Sequence, residues 1–178
     1  NIFGFDHALK KVTTYYNEHQ TKHKNNEYTD ILKGKNIIAI HAESFQEIAM
    51  NLTFNGKEVT PYVNKLAKEG IFFSNFYAEV GVGTSSDTEF TLNTSLMPSN
   101  SGTVFVSYYD RVYETMPKLL KQKGYYAFSM HGNVGDFWNR LEMHKSLGYD
   151  KFYHKDYYKI DETIGFSGTG LSDKSFFK

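Results

Sequence analysis

The sequence predicts an α/β domain in which a mainly parallel sheet is flanked by helices. Three observations carry this prediction. Short apolar runs alternate with segments of helical period in the order strand, helix, strand, helix, helix, strand, helix. The apolar runs are continuous rather than alternating, as in strands buried on both faces. Two of the helices share one punctuation: a Thr, then an early Pro, then a Gly after the last turn.

In chain order, Phe5, Ala8, Leu9, Val12 and Tyr16 fall on one face and predict a helix over 5–20. Residues 20–30 are polar and read as a linker that contains the short basic run Lys22-His23-Lys24. Asn36 to Ala42 reads as a buried strand. Thr60-Pro61 opens a helix that Gly70 stops, and Ile71 to Tyr77 reads as the second strand. Gly81 to Phe90 is a glycine loop entering a helix, with Ser86 and Glu89 at capping-box spacing. Thr115, Pro117 and Gly124 frame the next helix, and Tyr125 to Met130 is the third strand. A turn at His131-Gly132-Asn133 leads to a helix over 137–147 that ends at Gly148. The tail from Tyr149 is rich in Tyr and Lys and contains a glycine-rich loop, Gly165 to Gly170. No internal repeat is present.

Composition narrows the function classes. Lys plus Arg equals Asp plus Glu at 20 each, so no broad basic surface marks a nucleic-acid binder. The absence of Cys excludes disulfides, thiolate metal sites and a Cys nucleophile. No run of ~18 apolar residues reads as a membrane span, and the first residues lack the apolar segment of a signal peptide. The 14 Tyr and 15 Phe suit sugar rings and lipid head groups, but aromatic residues first of all pack.

In parallel sheets, ligands bind beyond the carboxyl ends of the strands. Polar clusters fall at three such ends: His41 to Ser44, Gly81 to Asp87, and His131 to Asp136. Glu43 is placed to offer oxygen to Mg²⁺ or Mn²⁺, or it is an ordinary surface carboxylate. Thr84, Ser85 and Ser86 are three hydroxyls at a helix start, where a phosphoryl group is favoured and a metal-bound hydroxyl becomes a nucleophile. The plainer reading is a simple N-cap. The loop is not a P-loop, since no Gly-Lys-Ser/Thr follows. His131 can hydrogen-bond a substrate oxygen, Arg140 can clamp a phosphate, and Phe137 and Trp138 can line a glycerol pocket. Helix packing plus a surface Arg would explain the same string.

As an ordered set these strings resemble a known family. His41-Ala42-Glu43-Ser44-Phe45-Gln46, Val80 to Phe90 with its Ser86-Asp87-Thr88-Glu89-Phe90, Met130-His131-Gly132 with Phe137-Trp138-Asn139-Arg140, and Leu171 to Phe177 look like the extracellular domain of the lipoteichoic acid synthase family. That family lies within the sulfatase and alkaline phosphatase superfamily. The resemblance runs from about Lys35 onward. It implies an alkaline-phosphatase/sulfatase-like fold, with residues 1–35 as an N-terminal helix and linker, or stalk. Residues 36–178 would be the N-terminal portion of the catalytic domain.

The resemblance also implies an enzyme. Such an enzyme takes glycerol phosphate from phosphatidylglycerol, holds it on a nucleophile, and passes it to a glycerol phosphate polymer or a glycolipid acceptor at the membrane surface. Ser85 falls at the nucleophile position, Glu43 at a metal-binding position, and His131, Phe137, Trp138 and Arg140 at positions that line the glycerol phosphate pocket. Mn²⁺, or Mg²⁺, is the implied cofactor. The implied location is the outer face of the cell membrane, anchored by transmembrane helices absent from this chain or released as a cleaved ectodomain.

The sequence departs from the pattern in places that bear on substrate choice. The usual nucleophile is Thr; either Thr84 or Ser85 offers a hydroxyl here, and the alignment through Ser86-Asp87 favours Ser85. Thr84 stands where some relatives have Lys, and Asn133 where some have Asp. The family completes its metal site with an Asp-His pair and a further His late in the domain. No Asp-His follows residue 7 here, so the remaining ligands are expected beyond Lys178. Other expectations stay open beside this one: another phospho-head-group transferase or phosphatase of the superfamily, or a non-catalytic teichoic acid or carbohydrate binding module. Sulfatase chemistry itself is disfavoured, because Ser85 to Glu89 lacks the Cys/Ser-x-Pro-x-Arg string.

Overall fold

The structure, a computed structural model, describes residues 2–20, 22, 24–165 and 170–178. It divides into two compact units, residues 1–40 and residues 41–178. The first unit contains one long helix, α1 (Ile2–Glu18). Its last turn is closed by His19, whose ring stacks on Tyr15 at 4.1 Å between centroids. Residues 35–40 follow without regular structure, and Ile38 is 86% exposed.

The second unit begins with a small hairpin, β1 (Thr53–Phe54) against β2 (Lys57–Glu58), antiparallel. Helix α2 (Pro61–Glu69) follows, with Pro61 in its first turn and Gly70 at its end, as the sequence reading places it. Thr60 does not cap α2 with its side chain. Its hydroxyl donates instead to Ala49 O and to Asn64 Oδ1. Buried Asn64 also accepts from the Asn51 amide and donates to Glu58, which ties hairpin and helix together.

Helices α3 (Ser85–Thr94), α4 (Val104–Ser107), α5 (Met116–Lys121) and α6 (Arg140–Leu147) surround the buried core. Phe90, Val104, Phe105, Met143 and Leu147 form that core, with Tyr113, Trp138 and Tyr149 packed against it. The Thr115 side chain caps α5 by accepting from the Lys118 amide, as its sequence position predicts. Its hydroxyl also donates to Leu147 O, which locks α5 to the end of α6. Gly148 then takes the left-handed conformation (φ 92°) that stops α6.

The parallel pairing is one ladder, β3 (Phe128–Met130) beside β4 (Lys151–Tyr153), joined by α6. Helix α6 is thus the crossover that a parallel pair requires. A second antiparallel pair, β5 (Thr163–Ile164) with β6 (Gly170–Leu171), leads to α7 (Asp173–Phe176). Most of the expected glycine-rich loop, residues 166–169, lies outside the described residues, as does His23 of the basic run.

Residues 36–42 and 71–77 form no strands. Their side chains are apolar, but a strand exists only as part of a ladder, and neither segment meets a partner backbone among the described residues. Phe73 and Phe76 consequently stay mostly exposed. No helix among the described residues is long and apolar enough to cross a membrane.

Candidate active site

The site is built around the start of α3. Ser85 is its first residue and is half-buried. The Ser85 hydroxyl donates to Glu43 Oε1 at 2.5 Å, a short contact between residues 42 positions apart. Glu43 sits on an exposed turn after the first apolar run. The acidic oxygen and the hydroxyl therefore meet.

The glycine loop before α3 takes a sharp path. Thr84 is exposed and held at φ 45°, ψ −110°, a conformation that non-glycine residues adopt at a cost. The capping box read from Ser86 and Glu89 does not form. Ser86 lies inside the helix, and its hydroxyl donates back to Gly83 O (2.7 Å) and meets Thr103 Oγ1 (3.1 Å). Asp87 closes the loop instead. Its Oδ2 accepts from the amides of Gly81 (2.9 Å) and Gly83 (3.0 Å). A Cβ on Gly83 would overlap Asp87 Oδ1, so glycine there serves close approach as well as turning.

One turn further along α3, Glu89 enters a buried polar network. Arg140 is 2% exposed, and its Nε and Nη2 donate to the Glu89 carboxylate at 2.6–3.1 Å. Nη1 donates to Phe137 O. His144 Nε2 donates to Glu89 Oε2 (3.0 Å), and its Nδ1 meets Ser129 Oγ (2.8 Å). Burial alone would raise the Glu89 carboxyl, but hydrogen bonds from His144 and Arg140 outweigh it and hold it at about 2, against an ordinary 4.5. The guanidinium expected to clamp phosphate is here occupied by Glu89.

His131 follows β3, and its amide donates to Tyr153 O, extending the parallel ladder to the site. Its ring is partly buried, and Nδ1 has no hydrogen-bond partner among the described residues. Burial first, and then the positive charge of Arg140, lower it from 6.5 to about 4. At neutral pH it is an uncharged imidazole with one nitrogen unspoken for. Glu89, His144 and Glu43 also act electrostatically on it, and Glu43 is the residue that meets Ser85.

The remaining expected residues have more local roles in this structure. Asn133 Oδ1 accepts from the Val134 amide and shapes the turn after His131. Phe137 is half-exposed, with the Arg140 guanidinium 5.9 Å from its ring centre. Trp138 packs against the core. Trp138 and Asn139 both take positive φ, 60° and 55°, a break that lets α6 start at Arg140. Asn139 spans the break by donating to Phe105 O. Sequence reasoning did not assign Asp87, His144 or Ser129. Ser86-Asp87-Thr88-Glu89-Phe90 was noticed as a string, and its two acidic residues were the available signal.

No three His, Asp or Glu side chains come together as a metal cluster among the described residues. The chain contributes two adjoining oxygens, Glu43 Oε1 and Ser85 Oγ. These suit a hard divalent cation in kind but fall short in number, since such sites take about four to six ligands.

The lipoteichoic acid synthase of Staphylococcus aureus strain USA300 is 43% identical over 174 residues, 96% of this chain. The same figures hold for that of strain COL. The chain spans 27% of the length of these curated relatives. The crystal structure of the lipoteichoic acid synthase LtaP from Listeria monocytogenes superposes with a TM-score of 0.84 at 31% identity, over 93% of this chain and 40% of that one. A protein in the alkaline phosphatase superfamily from Vibrio parahaemolyticus gives 0.52 at 26%, over 65% and 28%. The fold is therefore alkaline-phosphatase/sulfatase-like. The profile of the Sulfatase family matches residues 35–178, and the chain belongs to that family.

Proposed function

We propose that the protein transfers glycerol phosphate from phosphatidylglycerol to a growing lipoteichoic acid chain or its glycolipid anchor, through a covalent intermediate on Ser85. The observation that carries this is the Ser85–Glu43 contact at the first turn of α3. Glu43 draws the hydroxyl hydrogen to itself and leaves an oxygen lone pair free to meet phosphorus. The Ser85 oxygen–phosphorus bond forms as the bond from phosphorus to the diacylglycerol oxygen breaks, and the proton taken by Glu43 passes to that oxygen. An acceptor hydroxyl then displaces Ser85, giving up its proton as the Ser85 oxygen regains one, and the enzyme is regenerated.

The start of α3 favours the negative phosphoryl group. Neutral His131, with its unpartnered Nδ1, is suited to hydrogen-bond a substrate oxygen without repelling or trapping a proton. Thr84, Asn133, Phe137 and Trp138 are proposed to shape the glycerol end, and Arg140, held in place by Glu89, to favour the phosphate through its fixed charge. A divalent cation, Mn²⁺ or Mg²⁺, would be held by Glu43 and Ser85 with ligands from beyond Lys178; when bound it makes the hydroxyl more acidic and offsets phosphate charge. Residues 1–35 are proposed as the stalk of a domain that faces outward from the cell membrane.

The test is diacylglycerol release from phosphatidylglycerol vesicles by the whole protein, with Mn²⁺ and then with chelator, beside phosphatidylethanolamine vesicles. Release from phosphatidylglycerol that stops on chelation is expected. Turnover by the metal-free protein would contradict the proposal, and consumption of phosphatidylethanolamine alone would move it to another head group.

A further inference from the structure

We infer that Asp87 is a positioning residue for Ser85: its buried carboxylate ties the Gly81–Gly83 turn to the first turn of α3 and so fixes where the Ser85 hydroxyl points. The inference rests on the reading of Ser85 as the nucleophile. Asp87 is fully buried in the first turn of α3. It reaches back to the amides of Gly81 and Gly83, which brackets Thr84 and Ser85 between the two ends of one clasp. Both amides converge on Oδ2, and Oδ1 is buried with no hydrogen-bond partner among the described residues.

Two costs therefore sit on either side of Ser85. One is the orphan carboxylate oxygen, which forfeits solvation without gaining a bond. The other is the Thr84 backbone, held at φ 45° and ψ −110° while its amide donates to Gly81 O and its carbonyl accepts from the Asp87 and Thr88 amides. A loop that served stability alone would relieve both. What the clasp secures is the position of Ser85 opposite Glu43, at 2.5 Å. Gly83 belongs to the same device, since a Cβ there would overlap Asp87 Oδ1 and approach Ser86 Oγ to 2.7 Å.

The experiment compares Asp87→Ala, Asp87→Asn and Thr115→Val in the whole protein, reading diacylglycerol release from phosphatidylglycerol vesicles per folded molecule alongside melting temperature. Thr115 is a buried hydrogen-bonding residue of the α5–α6 junction, remote in role from the loop, and controls for lost stability. Asp87→Ala is expected to lower kcat about 30-fold or more with KM within about threefold, and Asp87→Asn, which keeps one acceptor oxygen, to recover part of it. Thr115→Val is expected to lose stability and keep kcat. Wild-type kcat per folded molecule in Asp87→Ala, or a loss no greater than that of Thr115→Val, would overturn the inference. If Asp87→Ala does not fold, Asp87→Leu, which keeps the bulk and removes both acceptor oxygens, decides: a fall in kcat of about fivefold or more with KM within about threefold supports the inference, and a smaller fall overturns it. Ser85→Ala separates the two levels, because full activity there would overturn the nucleophile itself, whereas an inactive Ser85→Ala beside a fully active Asp87→Ala would overturn only the positioning role.

Discussion

Helix α3 carries two acidic clusters one turn apart, and they differ in kind. Around Glu89, both carboxylate oxygens are taken, by Arg140 and by His144, and His144 is in turn held by Ser129. Around Ser85 and Asp87, one carboxylate oxygen is orphaned, one backbone is strained, and one hydroxyl–carboxylate contact is short. The first cluster reads as scaffold: a buried ion pair with its hydrogen bonds satisfied. The second holds its costs at the place where chemistry would occur. Burial alone does not separate them, because Arg140, Asp87 and Ser86 are all buried. Satisfaction of hydrogen bonds does.

This difference predicts opposite outcomes for neighbouring substitutions. Ser85→Ala is expected to abolish phosphoglycerol transfer, by about 10³-fold or more, while leaving the melting temperature of the whole protein within a few degrees. A Ser85→Ala protein that unfolded early would make Ser85 part of the scaffold. Glu89→Ala is expected to strand the Arg140 charge and to cost about 3–5 kcal/mol in denaturant unfolding. A loss below about 1 kcal/mol would mean that Arg140 is as free to serve substrate as Ser85 is. Phe105→Ala, in the core beside this network, should cost a comparable ~3–5 kcal/mol and serves as the reference for scaffold.

A smaller effect concerns pH. Unfolded, His131 binds a proton below its ordinary 6.5, whereas folded it does so only below about 4. Between those values the unfolded state holds more protons, so stability is full above about pH 6.5 and falls as pH drops toward 4. Glu89, at about 2 when folded and 4.5 when free, adds a second loss as pH falls from 4.5 toward 2. His131→Phe should flatten the upper part of the curve in a denaturation series and leave the lower part. The smallest expected effect is that of Asn133→Ala, about 0.5–1.5 kcal/mol for one turn hydrogen bond.

Much of this was legible in the sequence where the signal was local. Pro61 with Gly70, Thr115 with Pro117, and Gly148 mark helix ends that occur where they were read. Strands were less legible, because they depend on a partner. Tyr125 to Met130 and Ile71 to Tyr77 look alike as apolar runs, but Phe128–Met130 meets Lys151–Tyr153 and forms a ladder, while 71–77 joins no ladder among the described residues. In the candidate site, Glu43 and Ser85 were each legible as a polar residue after an apolar run, and the structure brings them into contact. Asp87 was not, because its role is to accept from backbone amides, and backbone geometry leaves no residue-type signal. Ser86–Glu89 showed the spacing of a capping box, but Glu89 found stronger partners in Arg140 and His144, 51 and 55 positions away.

The most direct test of the account is to trap the intermediate. The whole protein, mixed with phosphatidylglycerol in Mn²⁺ and quenched in acid, would be digested and its peptides weighed. The account predicts one glycerophosphoryl group on the peptide bearing Ser85, localised to Ser85 and absent from Ser85→Ala. The same group on Thr84, or its persistence in Ser85→Ala, would contradict it.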